Sequence, residues 1–224
     1  MEPIFTTGKS ALYIAPFETV FPRINYDFND ATRDLNLISR PTIIIFGKEA
    51  HQNRDVGFFS DESKGYKYSN RLMPSQPLTP QLKLILDYVN TAFVPAGQPK
   101  YNGILINRYN NGNDTIGAHS DDEKSLSPTG VIAISLGATR KFRIRSKYPN
   151  LPYQILSTKY TPQIPASVPK SSDKKAEILF DLPMTDKMIV WMYGDFQKEL
   201  THEIPKEAKV DRPRISLTFR SHTE

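Results

Sequence analysis

Between Asn102 and Ser221 the chain is a succession of short strand-forming runs cut by turn residues: "NGILINRY", "TGVIAISLG", "KFRIRS", "AEILFDLP", "KMIVWMY" and "RPRISLTFRS". Runs of this length, rich in β-branched and aromatic residues and evenly punctuated, favour a β-sandwich or barrel. "RPTIIIFG" reads as a further, buried strand. One segment breaks the pattern. In "TPQLKLILDYVNTAF", Thr79 is an N-cap, Pro80 takes the first helical position, and Leu82, Ile85, Leu86, Val89 and Phe93 share one face. That spacing predicts a helix packed on the sheet. At 224 residues and 38% hydrophobic content, the chain suffices for one large domain with a proper core.

The last strand is the most informative. Alternation places Ile215, Leu217 and Phe219 on one face of "RPRISLTFRS" and Arg214, Ser216, Thr218 and Arg220 on the other. An ordinary half-exposed strand with two solvated arginines satisfies this pattern. So does a barrel strand whose polar face lines a ligand cavity, where an arginine would offer a bidentate clamp for a carboxylate. Asn107 and Tyr109 form a similar i, i+2 pair on an earlier strand.

"NRYNNGNDTIGAHSDDE" adds a histidine beside carboxylates in a chain with only four histidines. In extended backbone His119 and Asp121 point the same way and can present an imidazole nitrogen and a carboxylate oxygen to one cation. His202, in "THEIP", is the candidate third ligand. Two histidines and one carboxylate make the facial triad of non-haem Fe(II) oxygenases, although a His-x-Asp pair alone arises readily by chance. With no cysteine in the chain, thiolate nucleophiles, disulfides and cysteine-held metals are excluded, so any metal must take nitrogen and oxygen ligands. A net charge of +5 is a mild bias towards a polyanionic partner.

With "ISLGATRKFRIR", "PRISLTFR", "RPTIIIFGKE" and "YKYSN", these motifs resemble the AlkB family of Fe(II)- and 2-oxoglutarate-dependent dioxygenases, closest to its nucleic-acid demethylases, over about residues 40–220. The resemblance implies a mainly β domain with flanking helices, built as a double-stranded β-helix, or jelly roll. It implies Fe(II) held by His119, Asp121 and His202, with 2-oxoglutarate and O2 as co-substrates. Asn107, Tyr109, Arg214, Ser216, Thr218 and Arg220 would line the 2-oxoglutarate site, with Arg214 on the distal carboxylate. Ser216 departs from the asparagine common in the family. Tyr66 and Tyr68 match the lid segment whose aromatics border the substrate base, and Asp122 and Glu123 match acidic positions that help hold it. The implied reaction is oxidative demethylation of N-alkylated bases, releasing formaldehyde, succinate and CO2. Single-stranded DNA or RNA is the expected partner, because a duplex base must first leave its stack.

The expected organisation is an N-terminal extension over residues 1–38 and a dioxygenase domain over 39–224, with a lid at about 47–76 and an inserted proline-rich loop at about 147–175. That loop carries Lys147, Lys159 and Lys170 with Tyr148, Tyr153 and Tyr160, a composition suited to backbone and base contacts as well as to a plain surface loop. Apolar runs too short to cross a bilayer and the absence of a signal-like start give an expectation of a soluble, intracellular, monomeric protein with no membrane partner. The alternatives are a dioxygenase of the same superfamily acting on a protein side chain or small molecule, a non-catalytic nucleic-acid-binding module, and a purely structural jelly roll.

Overall fold

The computed structural model describes residues 1–45, 47–68, 71–121, 129–157 and 177–221. In chain order the first half contains β1 (Glu2–Thr6), β2 (Ser10–Pro16), α1 (Phe17–Val20), α2 (Phe28–Thr32), β3 (Thr42–Ile45), β4 (Lys48–His51), β5 (Asp55–Phe59), β6 (Gly65–Tyr68), β7 (Arg71–Pro74) and α3 (Pro80–Phe93). There follow β8 (Gly103–Tyr109), β9 (Ile116–His119), β10 (Val131–Gly137), β11 (Arg140–Ser146), β12 (Gln154–Ile155), β13 (Ile178–Met184), β14 (Met188–Gly194), α4 (Phe196–Glu199), β15 (Leu200–Ile204) and β16 (Arg214–Arg220).

Eight strands form one sheet in the order β12-β1-β2-β14-β10-β16-β8-β5, and four form a second, β13-β11-β15-β9. An apolar layer joins them: Phe5, Leu12, Val190 and Met192 from the large sheet meet Phe142, Ile144, Phe180 and Leu182 from the small one. This is the double-stranded β-helix. The outer face of the large sheet is covered by α3. There the Thr79 hydroxyl accepts from the Leu82 N–H at 3.2 Å, and Leu82, Ile85, Leu86, Val89 and Phe93 are all buried. They pack with Ile104, Ile132, Leu217 and Phe219, each such side chain contributing about 1.5–3 kcal/mol. Because the central strands are covered on both sides, β10 and β14 read as nearly continuous apolar runs. The odd residues of β16 enter this outer core, which turns its even, polar residues inward between the sheets.

One sequence expectation changes. β3 is not a buried sheet strand: it pairs only with β4 in a two-stranded ribbon, so one face stays wet and Ile44 is 42% exposed. Residues 1–38 contribute two strands to the large sheet. β2 pairs with β14 over its whole length and β1 extends the same sheet, with Phe5 and Leu12 fully buried. Within the first residues of the proline-rich segment, β12 pairs with β1 and Tyr153 stacks on Phe5 with centroids 5.6 Å apart. Lys147 donates to the Gln197 carbonyl at 2.7 Å. Lys159, Tyr160 and Lys170 lie outside the described residues. Among the described residues no helix is long and apolar enough to cross a membrane.

Candidate active site

The inward face of β16 is the floor of a cavity between the two sheets. Cross-strand register sets its contents: Arg214 lies opposite Tyr109, and Ser216 opposite Asn107, on β8. On the other side of β16, β10 places Ser135 beside Ser216 and Ala133 beside Thr218. The opposing wall is the small sheet, where His202 on β15 is registered with His119 on β9 and with Ile144 on β11. Thus Asn107, Tyr109, His119, Asp121, His202, Arg214, Ser216, Thr218 and Arg220, scattered over more than a hundred residues, all face one space.

One ligand atom each from His119, Asp121 and His202 lies within 4.8 Å of the others. The Nε2 of His119 is 3.8 Å from one Asp121 oxygen, and that of His202 is 3.7 Å from the other. The His119 Nδ1 lies 2.9 Å from the Gly117 carbonyl, which fixes that nitrogen as the protonated one and leaves Nε2 a free lone pair. Burial lowers both imidazole pKa values, His202 to about 3 with help from the neighbouring His119, so both rings are neutral at pH 7. Burial alone would raise Asp121, but the Arg220 cation, through its charge and its hydrogen bond, outweighs it and holds the carboxylate ionised. Two neutral imidazoles and one carboxylate at this spacing suit a divalent iron.

Neighbouring groups hold this set in place. Arg220 donates to Asp121 through Nη2 and to the Tyr66 hydroxyl through Nη1, the latter at 3.0 Å. The Asp121 N–H donates to Gln197 Oε1 at 2.8 Å, and the Ser120 hydroxyl to the Leu200 carbonyl at 2.9 Å. Beside β9 and β15, Arg140 is 1% exposed and donates to the carbonyls of Asn111, Asp114 and Pro205, tying the approach to β9 to the exit from β15. Gly112 belongs to this knot. A Cβ there would stand 1.8 Å from the Glu207 carbonyl oxygen.

Arg214 differs from its neighbours. It is 2% exposed, donates Nε–H to Ser135 Oγ at 2.9 Å, and lies 5.4 Å from the Tyr109 ring centroid. Its Nη1 has no partner, and no carboxylate pairs with it among the described residues. Burial pushes its pKa down to about 10, so it remains a cation waiting for an anion.

The substrate side follows expectation less closely. Tyr66 reaches the cavity but is packed into its wall, 4.8 Å beneath the Arg220 guanidinium and beside Phe58. The Tyr68 side chain, Asp122 and Glu123 lie outside the described residues. Conversely, Gln52 and Arg54 line the cavity unforeseen, and Arg54 donates to Asn107 Oδ1 at 2.5 Å. A buried arginine in the short connection between β4 and β5 carries no periodic signal. Ser135, Gln197 and Arg140 escape the sequence because the groups they bond, on Arg214, Asp121 and Pro205, lie far along the chain.

The profile of the 2OG-Fe(II) oxygenase superfamily matches residues 36–220. The chain is 32% identical to the human protein named DNA oxidative demethylase ALKBH2 over 177 residues, 79% of this chain and 59% of that protein. It is 31% identical to the Arabidopsis thaliana protein of the same name over 189 residues, 81% of this chain and 57% of the relative. It is also 33% identical to human alpha-ketoglutarate-dependent dioxygenase alkB homolog 3 over 122 residues, 54% of this chain and 36% of that protein. The chain therefore spans little more than half the length of the first two relatives.

Proposed function

The chain belongs to the 2OG-Fe(II) oxygenase superfamily, in its AlkB family, and on that premise we propose that it demethylates N-alkylated bases in single-stranded nucleic acid. The family's cofactor is Fe(II), and its co-substrates are 2-oxoglutarate and O2. Bound iron supplies oxidative chemistry that converts 2-oxoglutarate to succinate and CO2 and an N-methyl group to formaldehyde.

The residues divide the remaining work. His119, Asp121 and His202 are the metal ligands, with Arg220 restraining the carboxylate so that it keeps one orientation. Arg214 receives the distal carboxylate of 2-oxoglutarate, and Asn107, Tyr109, Ser216, Thr218 and Arg220 shape the surrounding wall. Ser216 is shorter than the asparagine common in the family, a departure that bears on one polar contact and not on the arginine clamp. Tyr66, Tyr68, Asp122 and Glu123 border the base. An exposed or single-stranded base is favoured because extruding one from a duplex costs a few kcal/mol.

The observation that carries this reading is the buried, carboxylate-free Arg214 in the same cavity as three convergent metal-type donors. The deciding experiment supplies Fe(II), 2-oxoglutarate and O2 with methylated and unmethylated oligonucleotides and with peptides. Formaldehyde should appear with the methylated oligonucleotides alone. Succinate formation stimulated by a peptide and not by any oligonucleotide would replace the substrate class while keeping the enzyme class.

A further inference from the structure

The strongest unassigned feature of the cavity is Gln52. It sits in the connection between β4 and β5, a segment pinned on several sides. Its N–H donates to the Pro41 carbonyl at 2.9 Å, the Asn53 amide donates to the Asn113 carbonyl at 2.7 Å, and the Thr115 N–H donates to the Asn53 carbonyl at 3.0 Å. Together with the Arg54–Asn107 bond, these contacts turn Gln52 inward, where it is 5% exposed and shares the cavity wall with Tyr66, His119 and Asp121. Its Oε1 is fully enclosed and accepts no hydrogen bond among the described residues. A buried acceptor left without a donor is unfavourable in the empty cavity and becomes favourable when a ligand supplies the N–H.

The co-substrate cannot supply it. At neutral pH 2-oxoglutarate offers acceptors only, and Arg214 already stands ready for its distal carboxylate. A nucleobase alkylated on its Watson–Crick edge is different, because the exocyclic group on the major-groove side of the alkylated nitrogen, at C6 of a purine or C4 of a pyrimidine, is either an amine, which donates, or an oxo group, which accepts, and it is this group that Gln52 would meet. We propose that Gln52 is a specificity-determining residue that accepts from the exocyclic amine of the target base, so that amino bases are preferred over their oxo counterparts. The inference rests on the demethylase reading and adds to it the residue that chooses among bases.

The test compares substrates matched in ring and methyl position: oligonucleotides carrying one 3-methylcytosine against 3-methyluracil, and one 1-methyladenine against 1-methylguanine. Formaldehyde release gives kcat/KM for each with the wild type, Gln52→Leu, Gln52→Met and Gln52→Glu. The wild type should favour the amino member of each pair. That preference should fall by about 10-fold in Gln52→Leu and Gln52→Met, the value of one directed hydrogen bond, and persist in Gln52→Glu, which keeps an acceptor. The ratio cancels any loss common to both substrates, including poorer folding or iron occupancy, and the two apolar variants guard against one failing to fold. Unchanged ratios in active apolar variants, or a wild-type preference for the oxo members, overturn the role of Gln52 and leave the demethylase reading intact. A wild type that releases formaldehyde from none of the four overturns both.

Discussion

Replacing Arg214 with methionine should make the ligand-free protein more stable while disabling it. The folded guanidinium sits at about 10 against an ordinary 12.5, chiefly because it is buried. At about 1.4 kcal/mol per unit, roughly 3 kcal/mol is held against the charged form. The sign follows from a folded value below the unfolded one: the cost is present at every pH below about 10 and is flat from pH 6 to 8, so only substitution exposes it. Methionine has similar reach and no charge, but it forfeits the Ser135 hydrogen bond, worth about 1 kcal/mol. The net gain of about 2 kcal/mol corresponds to a Tm higher by about 4–8 °C for a chain of this size. The affinity for 2-oxoglutarate should fall at least about 30-fold, since breaking a buried charge pair costs 2 kcal/mol or more. Calorimetry with Mn(II) as a stand-in for iron, with and without 2-oxoglutarate, measures both effects. At a hundredfold excess over Kd the co-substrate should stabilise the wild type by about 2.7 kcal/mol and the variant far less. A variant that melts below the wild type without co-substrate would mean that Arg214 is already compensated. One that retains the full response to 2-oxoglutarate would move the clamp elsewhere, with Arg220 next to examine.

Three further outcomes are expected. Alanine at His119, Asp121 or His202 should abolish succinate formation while leaving the far-ultraviolet circular dichroism essentially unchanged, because the core between and outside the sheets is apolar; full turnover in any of them removes that residue from the metal site. In the metal-free protein, His202 and His119 are held neutral below the ordinary value of 6.5, so stability should be level above pH 6.5 and fall on acidification by up to about 1.4 kcal/mol per pH unit for each ring. Urea midpoints from pH 8 to 5 measure this, and a profile flat to pH 5 would contradict the burial argument. Gly112→Ala drives a methyl group into the Glu207 backbone, which cannot swing aside, and should cost about 3 kcal/mol or more. A melting temperature within a degree of wild type would show that the knot around Arg140 is loose.

What the sequence reveals and what it hides divide along a physical line. α3 is readable because its cap, its proline and its apolar stripe are all local, and the burial of Leu82 through Phe93 repeats the stripe residue for residue. β16 is readable because its two faces differ in kind, apolar against cationic, and each face finds the matching environment. β5 hides because Val56, Phe58 and Phe59 are buried on both faces, leaving no alternation to detect. The isoleucines of β3 mislead because hydrophobicity alone does not say whether a strand has neighbours. Gln52, Arg54 and Arg140 matter through contacts with residues far along the chain, such as Pro41, Asn107 and Pro205, and a linear reading has no access to those pairings.

The marriage of β2 to β14 also sets a timetable. A ribosome that has released Ser10–Pro16 must still add about another 170 residues before Met188–Gly194 emerge to receive them. At 5–20 residues per second that delay is on the order of ten seconds or more. Throughout it, the β1–β2 hairpin carries Phe5, Leu12 and Ile14 with nothing to cover them, on a ribbon too small to be stable alone. Protein synthesis therefore has to shelter β1 and β2 until β14 is made, and a nascent chain stalled before β14 presents an adhesive strand edge to its neighbours.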